Sequence, residues 1–205
     1  MITEAGLIGK IGLNSAGVGI CLNAIRARGV AFNRLPVHLA MRATLDSNSR
    51  LEAVEKLEKA GVAAAVHFLI ADSTGSTSME CSHLDVVKIA MKDGKLSHSN
   101  HFITEHKDGV FDKEFSQDSL ERMVRATELL KDAEESEKPP TTQTIERMLE
   151  DEKGYPGAIN RAASEKSPSA TLFGVVMDLK AKTAKARIGR PTQCKGVVLL
   201  RPLDL

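Results

Sequence analysis

Four histidines, His83, His98, His101 and His106, fall within one short stretch and raise a metal site as the first chemical possibility. A metal needs rings that converge on one point. His98 and His101 are three apart on what reads as a strand, and residues three apart on a strand point to opposite faces, so no metal is expected. The three cysteines, Cys21, Cys81 and Cys194, are odd in number and widely spaced. That is neither a disulfide framework nor a zinc-binding pair. Cys21 follows Ile20 in a predicted strand, Cys81 follows Glu80 and Cys194 follows Gln193, and each reads as a small buried or partly buried residue. Gly17-Val18-Gly19 lacks the third glycine and the strand–helix context of a dinucleotide site. No Gly-x-Ser-x-Gly elbow is present.

The composition is that of a soluble globular chain: 205 residues, 42% hydrophobic, 27% charged, net charge +1. Only 3% of the residues are aromatic and none is Trp, so the core must be aliphatic. Near-neutral charge without a basic stripe excludes nucleic acid as an expected partner. No apolar run is long enough to span a bilayer, and no membrane association is expected. The N-terminal Met-Ile-Thr-Glu-Ala-Gly has no basic region followed by an apolar run, so no signal peptide is read. The terminal Leu203-Asp204-Leu205 is not a peroxisomal address of the Ser-Lys-Leu type. Unpaired cysteines fit a reducing compartment, and the expected location is cytoplasmic.

The elements that must position any site come in blocks. Residues 7–13 and 18–25 flank the turn-forming Asn14-Ser15-Ala16-Gly17 and predict a β-hairpin. A helix should run from after Pro36 to about residue 45. A second is capped by Ser49, with Glu52 reaching back to it, carries Leu51, Val54 and Leu57 on its apolar face, and ends at Gly61. Residues 65–71, 77–84 and 85–90 read as strands. Lys92-Asp93-Gly94-Lys95 is a hairpin turn, with 96–100 as the return strand. Residues 116–153 predict two helices. Ser116 caps the first, with Leu120, Met123, Val124, Thr127 and Leu130 inward. Thr142 opens the second, with Ile145, Met148 and Leu149 inward. Residues 171–179, 184–188 and 196–200 return to strands. Helices grouped between antiparallel hairpins predict layered α+β rather than a doubly wound sheet.

Several stretches resemble one family. Ile2-Thr3-Glu4-Ala5-Gly6-Leu7-Ile8-Gly9-Lys10, Gly12-Leu13-Asn14-Ser15-Ala16-Gly17-Val18, His98-Ser99-Asn100-His101, Ala170-Thr171-Leu172-Phe173 and Arg187-Ile188-Gly189-Arg190-Pro191-Thr192 are similar, in order and spacing, to segments of the isopenicillin N acyltransferase-like family of N-terminal-nucleophile (Ntn) hydrolases. The resemblance runs from Ile2 to about Leu200. It implies the four-layer αββα sandwich, here lacking its first strands, with residues 1–205 as a single partial domain corresponding to the later part of the β-subunit.

The chemistry implied is acyl transfer or amide hydrolysis through a cysteine that becomes the N-terminus by self-cleavage. Its α-amino group, with a pKa of roughly 8, serves as base. The resemblance makes Asn100 the oxyanion-hole donor and puts Ser82 and Ser167 near the substrate. Read without it, Asn100 would only close a turn, and Ser82 would be a strand-end hydroxyl bonded to backbone. Where the family often has Arg after the second serine, this sequence has Pro168, which carries neither charge nor N–H donor. No Gly-Cys pair occurs in this sequence, and the family's Asn-x-Asp segment is absent. The nucleophile is therefore expected upstream of Ile2, and a strand starting there without its neighbour would leave an open sheet edge.

Two functions follow. One is an acyltransferase or amidohydrolase acting on a small-molecule acyl donor or amide substrate, with acyl-coenzyme A a possible donor and no cofactor required. The other is a shortened, catalytically incompetent homologue that binds an acyl or amino-acid-like ligand or a partner chain. A third possibility is a purely structural fragment that folds poorly alone, whose uncovered sheet face is expected to drive self-association or pairing with a missing N-terminal segment.

Overall fold

A computed structural model of the chain describes residues 1–112, 117–136, 140–165 and 168–201. It is mixed α and β, with two antiparallel sheets and, among the described residues, four α-helices. The chain forms two compact units, one within Met1–Phe115 together with Leu179–Thr183, the other within Ser116–Asp178 and Ala184–Leu200. Among the described residues, no helix is long and apolar enough to cross a membrane.

The first unit is built on a five-stranded sheet in the order β1 (Gly12–Leu13), β2 (Gly19–Ala24), β3 (Val66–Asp72), β4 (Gly75–Cys81) and β5 (Val86–Ile89), each pair antiparallel. The predicted hairpin around Asn14–Gly17 is present, with Gly17 at φ +90°. Its first arm is shorter than the sequence pattern implied, because only two residues pair continuously and Ile2 bridges Ile11 ahead of them. Asn14 holds the turn from within, accepting from Val18 N at 2.9 Å and donating to the carbonyls of Leu45 and Ser47.

Between β2 and β3 the chain forms α1 (Val37–Leu45) and α2 (Arg50–Ala60). Pro36 precedes α1, where its fixed φ and missing N–H do no harm. Ser49 caps α2 by accepting from Glu52 N at 3.1 Å. The carboxylate of Glu52 reaches back one residue further than expected, to Asn48 N at 2.7 Å. Gly61 ends the helix at φ +66°, a conformation that side chains with a Cβ resist. The buried face of α2 is Ala53, Val54 and Leu57. Leu51, expected inward, is 65% exposed, because it lies in the first turn and off the stripe that the other three define.

Strand register gives the sheet two unlike faces. Ile20 with Ile70, Leu22 with Phe68 and Met79, and Ala24 with Val66 and Cys81 lie on one. Apart from Ala24, which is exposed at the strand end, these apolar residues pack with Ala40, Met41, Ala53, Val54 and Leu57 from the helices into the main core. The alternate residues, Asn23, His67, Ser78 and Glu80, lie on the other. Past β5, Asp93 and Gly94 take positive φ and close the expected turn, with Lys92 bridging Lys95. The predicted return strand over 96–100 does not form.

In the second unit, α3 (Gln117–Ser136) and α4 (Thr142–Leu149) accompany a three-stranded sheet of β6 (Phe173–Asp178), β7 (Thr183–Ile188) and β8 (Gly196–Leu200). The expected cap Ser116 lies outside the described residues. The buried positions of α3 are Ser119 and Ala133, and Val124 and Thr127, expected inward, are exposed. The stripe is therefore rotated toward small residues that permit close approach. Thr141 caps α4 in a reciprocal box with Thr144. Glu146 of α4 and Glu150, the C-cap one turn further on, pair with Lys185 and Arg187, two apart on β7. The helix and strand repeats match there, so one helix face reads one strand face.

Truncation of Leu57 to Ala should lower the unfolding free energy of the first unit by about 2–5 kcal/mol, whereas Leu51→Ala should change it by less than ~0.5 kcal/mol. Urea unfolding followed by circular dichroism distinguishes the two. Equal effects would refute the assignment of the buried stripe.

Candidate functional site

The polar face of the first sheet is covered by residues 98–106, and what joins them is the carboxylate of Glu80. Glu80 lies on β4 opposite His67 of β3, and His67 lies opposite Asn23 of β2. Its side chain is fully buried. Glu80 Oε1 accepts from His98 Nε2 at 2.8 Å and Ile103 N at 2.7 Å. Oε2 accepts from Thr104 N at 3.1 Å, from the Thr104 hydroxyl, and from His106 Nε2 at 3.3 Å. Burial by itself raises a carboxyl pKa. Here the hydrogen bonds from His98, Thr104 and Ile103 outweigh it and hold Glu80 at about 2.

The network extends on both sides of Glu80. His98 Nδ1 faces the carbonyl of Ser99 at 2.8 Å. Both ring nitrogens of His98 therefore face acceptor oxygens. The ring stacks on His67 with centroids 3.6 Å apart and planes 6° from parallel. His106 Nδ1 meets Asp85 Oδ1 at 2.8 Å. Burial works upward on Asp85, but donors from Ser82, His106 and Lys107 N prevail and its carboxyl sits below the ordinary range.

His67, Ser78 and Asn23 stand in the order of a serine triad. Ser78 Oγ lies 2.7 Å from His67 Nε2, and His67 Nδ1 lies 2.9 Å from Asn23 Oδ1. Asn23 Oδ1 accepts, so Nδ1 carries the hydrogen and Nε2 receives the hydroxyl's. No substrate reaches this arrangement, since Ser78 is fully buried and His67 is 1% exposed. Burial, then the charge of His98, push the His67 pKa down to about 3, with Glu80 opposing. A base that weak takes no proton from a serine near neutral pH.

Asn100 is exposed and sits between the two groups of Glu80 donors, two residues after His98 and three before Ile103. Its Nδ2 donates to the carbonyl of Ala24 at the end of β2, at 2.9 Å. Ser82 is fully buried. Its hydroxyl accepts from Leu84 N and Asp85 N, each at 3.0 Å, and donates to the Asp85 carboxylate, which closes the turn between β4 and β5. Ser82 is thus joined to Glu80 through Asp85 and His106, and Asn100 lies in the loop whose flanking residues bond Glu80. Ser167 lies outside the described residues. A cleft of about 430 Å³, lined by Phe102, Thr104, His106, Phe111 and Asp112 among others, opens beside this loop.

Each ring nitrogen of His67, His98 and His106 has a protein partner, so none of these rings offers a metal a lone pair. His98 and His101, expected on opposite faces of a strand, stack with centroids 6.4 Å apart because the segment is not a strand. Two cysteines are also removed from chemistry. Burial pushes the Cys21 thiol up to about 11. Burial, aided by Asp85 and Glu80, pushes Cys81 to about 12. Cys194 donates to the Gly196 carbonyl at 3.1 Å.

Comparison with known proteins agrees with the motif reading. The family model for acyl-coenzyme A:6-aminopenicillanic acid acyl-transferase matches residues 2–193. The chain belongs to the acyl-coenzyme A:6-aminopenicillanic acid acyltransferase family. A curated relative, the acyl-coenzyme A:6-aminopenicillanic-acid-acyltransferase 40 kDa form of Emericella nidulans, is 37% identical over 194 residues. The match covers 93% of this chain and 53% of that relative, so the chain spans about half of the relative's length. Within this acyltransferase family chain, sequence reasoning picked out Asn100 and Ser82 but missed Glu80 and His67. The signal available was the polar alternation Ser78-Met79-Glu80 against Val66-His67-Phe68, which marks the second face of the sheet.

The neutral His67 predicts acid sensitivity. The folded ring resists protonation down to about pH 3, while the unfolded ring takes its proton near 6.5. Stability should therefore fall as pH drops below 6.5, by up to about 1.4 kcal/mol per pH unit. Glu80 adds a second loss as pH falls from its unfolded value of 4.5 toward about 2. Urea midpoints measured from about pH 7 to 5 should decline in the wild type and flatten in His67→Gln. A flat wild-type profile would contradict the buried neutral ring.

Proposed function

We propose that this chain supplies the oxyanion side of an Ntn-type acyltransferase, with Asn100 as the donor. The observation that carries the reading is the state of Asn100, which is exposed to solvent yet has its amide pinned by the Ala24 carbonyl. A neutral donor fixed before the reaction stabilises developing negative charge without reorganising. Membership of the acyltransferase family supports the same reading. So does the α+β layout, with an antiparallel sheet and helices in each unit, which is compatible with an αββα sandwich.

In this scheme a cysteine thiolate adds to the carbonyl of a small acyl donor, such as an acyl-coenzyme A thioester or an amide. Charge collects on the carbonyl oxygen beside Asn100. The tetrahedral species then expels the donor's thiol or amine, which takes the proton released by the nucleophile, and leaves an acyl-enzyme thioester. An acceptor amine or water attacks in turn and restores the thiol. Cys21, half-buried, and Cys81, buried, have thiols pushed well above neutral and do not fill the nucleophile's role, and Cys194 is tied to the Gly196 carbonyl. The nucleophile is assigned to a residue outside this sequence, and the segment that carries it is the partner this chain requires. Ser82 acts by holding the Asp85 turn.

The test uses the natural gene product that carries this chain, with an acyl-coenzyme A donor and a panel of amine acceptors that includes 6-aminopenicillanic acid. Asn100→Ala should lower kcat about 10²- to 10³-fold with little change in KM. An unchanged kcat would remove Asn100 from the mechanism. Iodoacetamide-sensitive turnover by residues 1–205 alone would overturn the placement of the nucleophile.

A further inference from the structure

The carboxylate of Glu80 is fully buried, yet it collects donors from both sides of Asn100. Before Asn100 it takes His98 Nε2, and after it the backbone N–H groups of Ile103 and Thr104 with the Thr104 hydroxyl. None of these residues belongs to a helix or strand, so no backbone ladder fixes the segment. From Glu80 the path to the sheet is short. His67 faces it across β3 and Asn23 lies beyond on β2, one residue before Ala24, whose carbonyl pins the Asn100 amide. The loop is tied to β4 by one carboxylate and to β2 by one amide.

We infer that Glu80 is a positioning residue, whose ionised carboxylate sets the place of Asn100 by holding the loop 98–104 at both ends; this rests on the oxyanion role of Asn100. Charge is required because every partner of Glu80 is a donor. An amide of the same shape turns an NH2 group toward those donors and loses an acceptor. The sheet would be unchanged by that exchange, but the loop would not keep its closed form. A donor displaced by about 1 Å forfeits most of its effect on the transition state.

A double-mutant cycle in the natural gene product decides the matter. Glu80→Gln should lower kcat roughly 10²-fold with KM nearly unchanged, and in the Asn100→Ala background it should lower kcat no further. The same fold-loss in both backgrounds would show that Glu80 does not act through Asn100 and would overturn the proposal. Wild-type kcat in Asn100→Ala alone would instead overturn the oxyanion reading. Positioning is then decided by the Asn100 side-chain amide signals in an 15N-labelled sample of this chain. They should be a sharp, resolved pair in the wild type and broadened or averaged in Glu80→Gln, and an unaltered pair would refute it. If Glu80→Gln does not fold, Glu80→Asp, which keeps the charge and draws it back by one methylene, should give the same kinetic and spectral changes.

Discussion

A carboxylate cut off from water must find its donors inside the protein, and Glu80 has five, from His98, Ile103, Thr104 (twice) and His106. The requirement is severe. An ionised group moved out of water loses several kcal/mol of solvation unless partners replace it, and removing one partner of a buried pair costs about 3–5 kcal/mol. The path of residues 98–106 follows from that demand. They contribute no strand and little apolar surface, and they lie where they do because their N–H groups, imidazoles and hydroxyl complete the shell of one anion. Asp85 extends the same logic to the next turn, where Ser82, His106 and Lys107 supply its donors.

The apolar half of the sheet makes this possible. Ile20, Leu22, Phe68, Ile70, Met79 and the inner faces of α1 and α2 form a core of aliphatic side chains with one aromatic ring, and that packing keeps β2, β3 and β4 in register. Because side chains alternate along each strand, fixing the apolar face also fixes Asn23, His67 and Glu80 in a row on the other. A slip of one residue would carry Glu80 into the apolar core. Hydrophobic burial therefore chooses the register, and the register delivers the polar row.

Much of this scaffold was legible in the sequence. The caps at Ser49 and Gly61, the turn at Asp93-Gly94, and the strands around residues 66–72, 173–178 and 196–200 depend on local chemistry that a short window contains. What was not legible depended on partners distant in sequence. The stretch 96–100 follows a hairpin turn and so reads as its return strand, but His98 bonds a carboxylate eighteen residues away, and that side-chain bond replaces a backbone ladder. His67 sits inside a run that otherwise looks uniformly apolar, so its pairing with Asn23 and Ser78 was hidden. Leu51 and Val124 were placed inward by periodicity alone, but Leu51 lies off the buried stripe of its helix, and α3 buries the small Ser119 and Ala133. Asn100 and Ser82 were singled out through motif resemblance, whereas Glu80, which bonds the residues flanking Asn100, carried no motif.

Stability alone does not explain the polar row. Well-packed apolar residues in place of a buried ion pair are often neutral or stabilising. A core arranged only for stability would put such residues at His67, Ser78 and Glu80. Apolar contacts, however, are non-directional, and a loop resting on them can slide. Hydrogen bonds to a fixed carboxylate prescribe direction as well as distance, so they define where the loop between His98 and Thr104 must lie. Asn100 is an exposed residue within that loop, and its amide is itself held by a sheet carbonyl. On the proposed oxyanion role, directional constraints thus converge on a residue whose orientation, rather than burial, would decide what it can do.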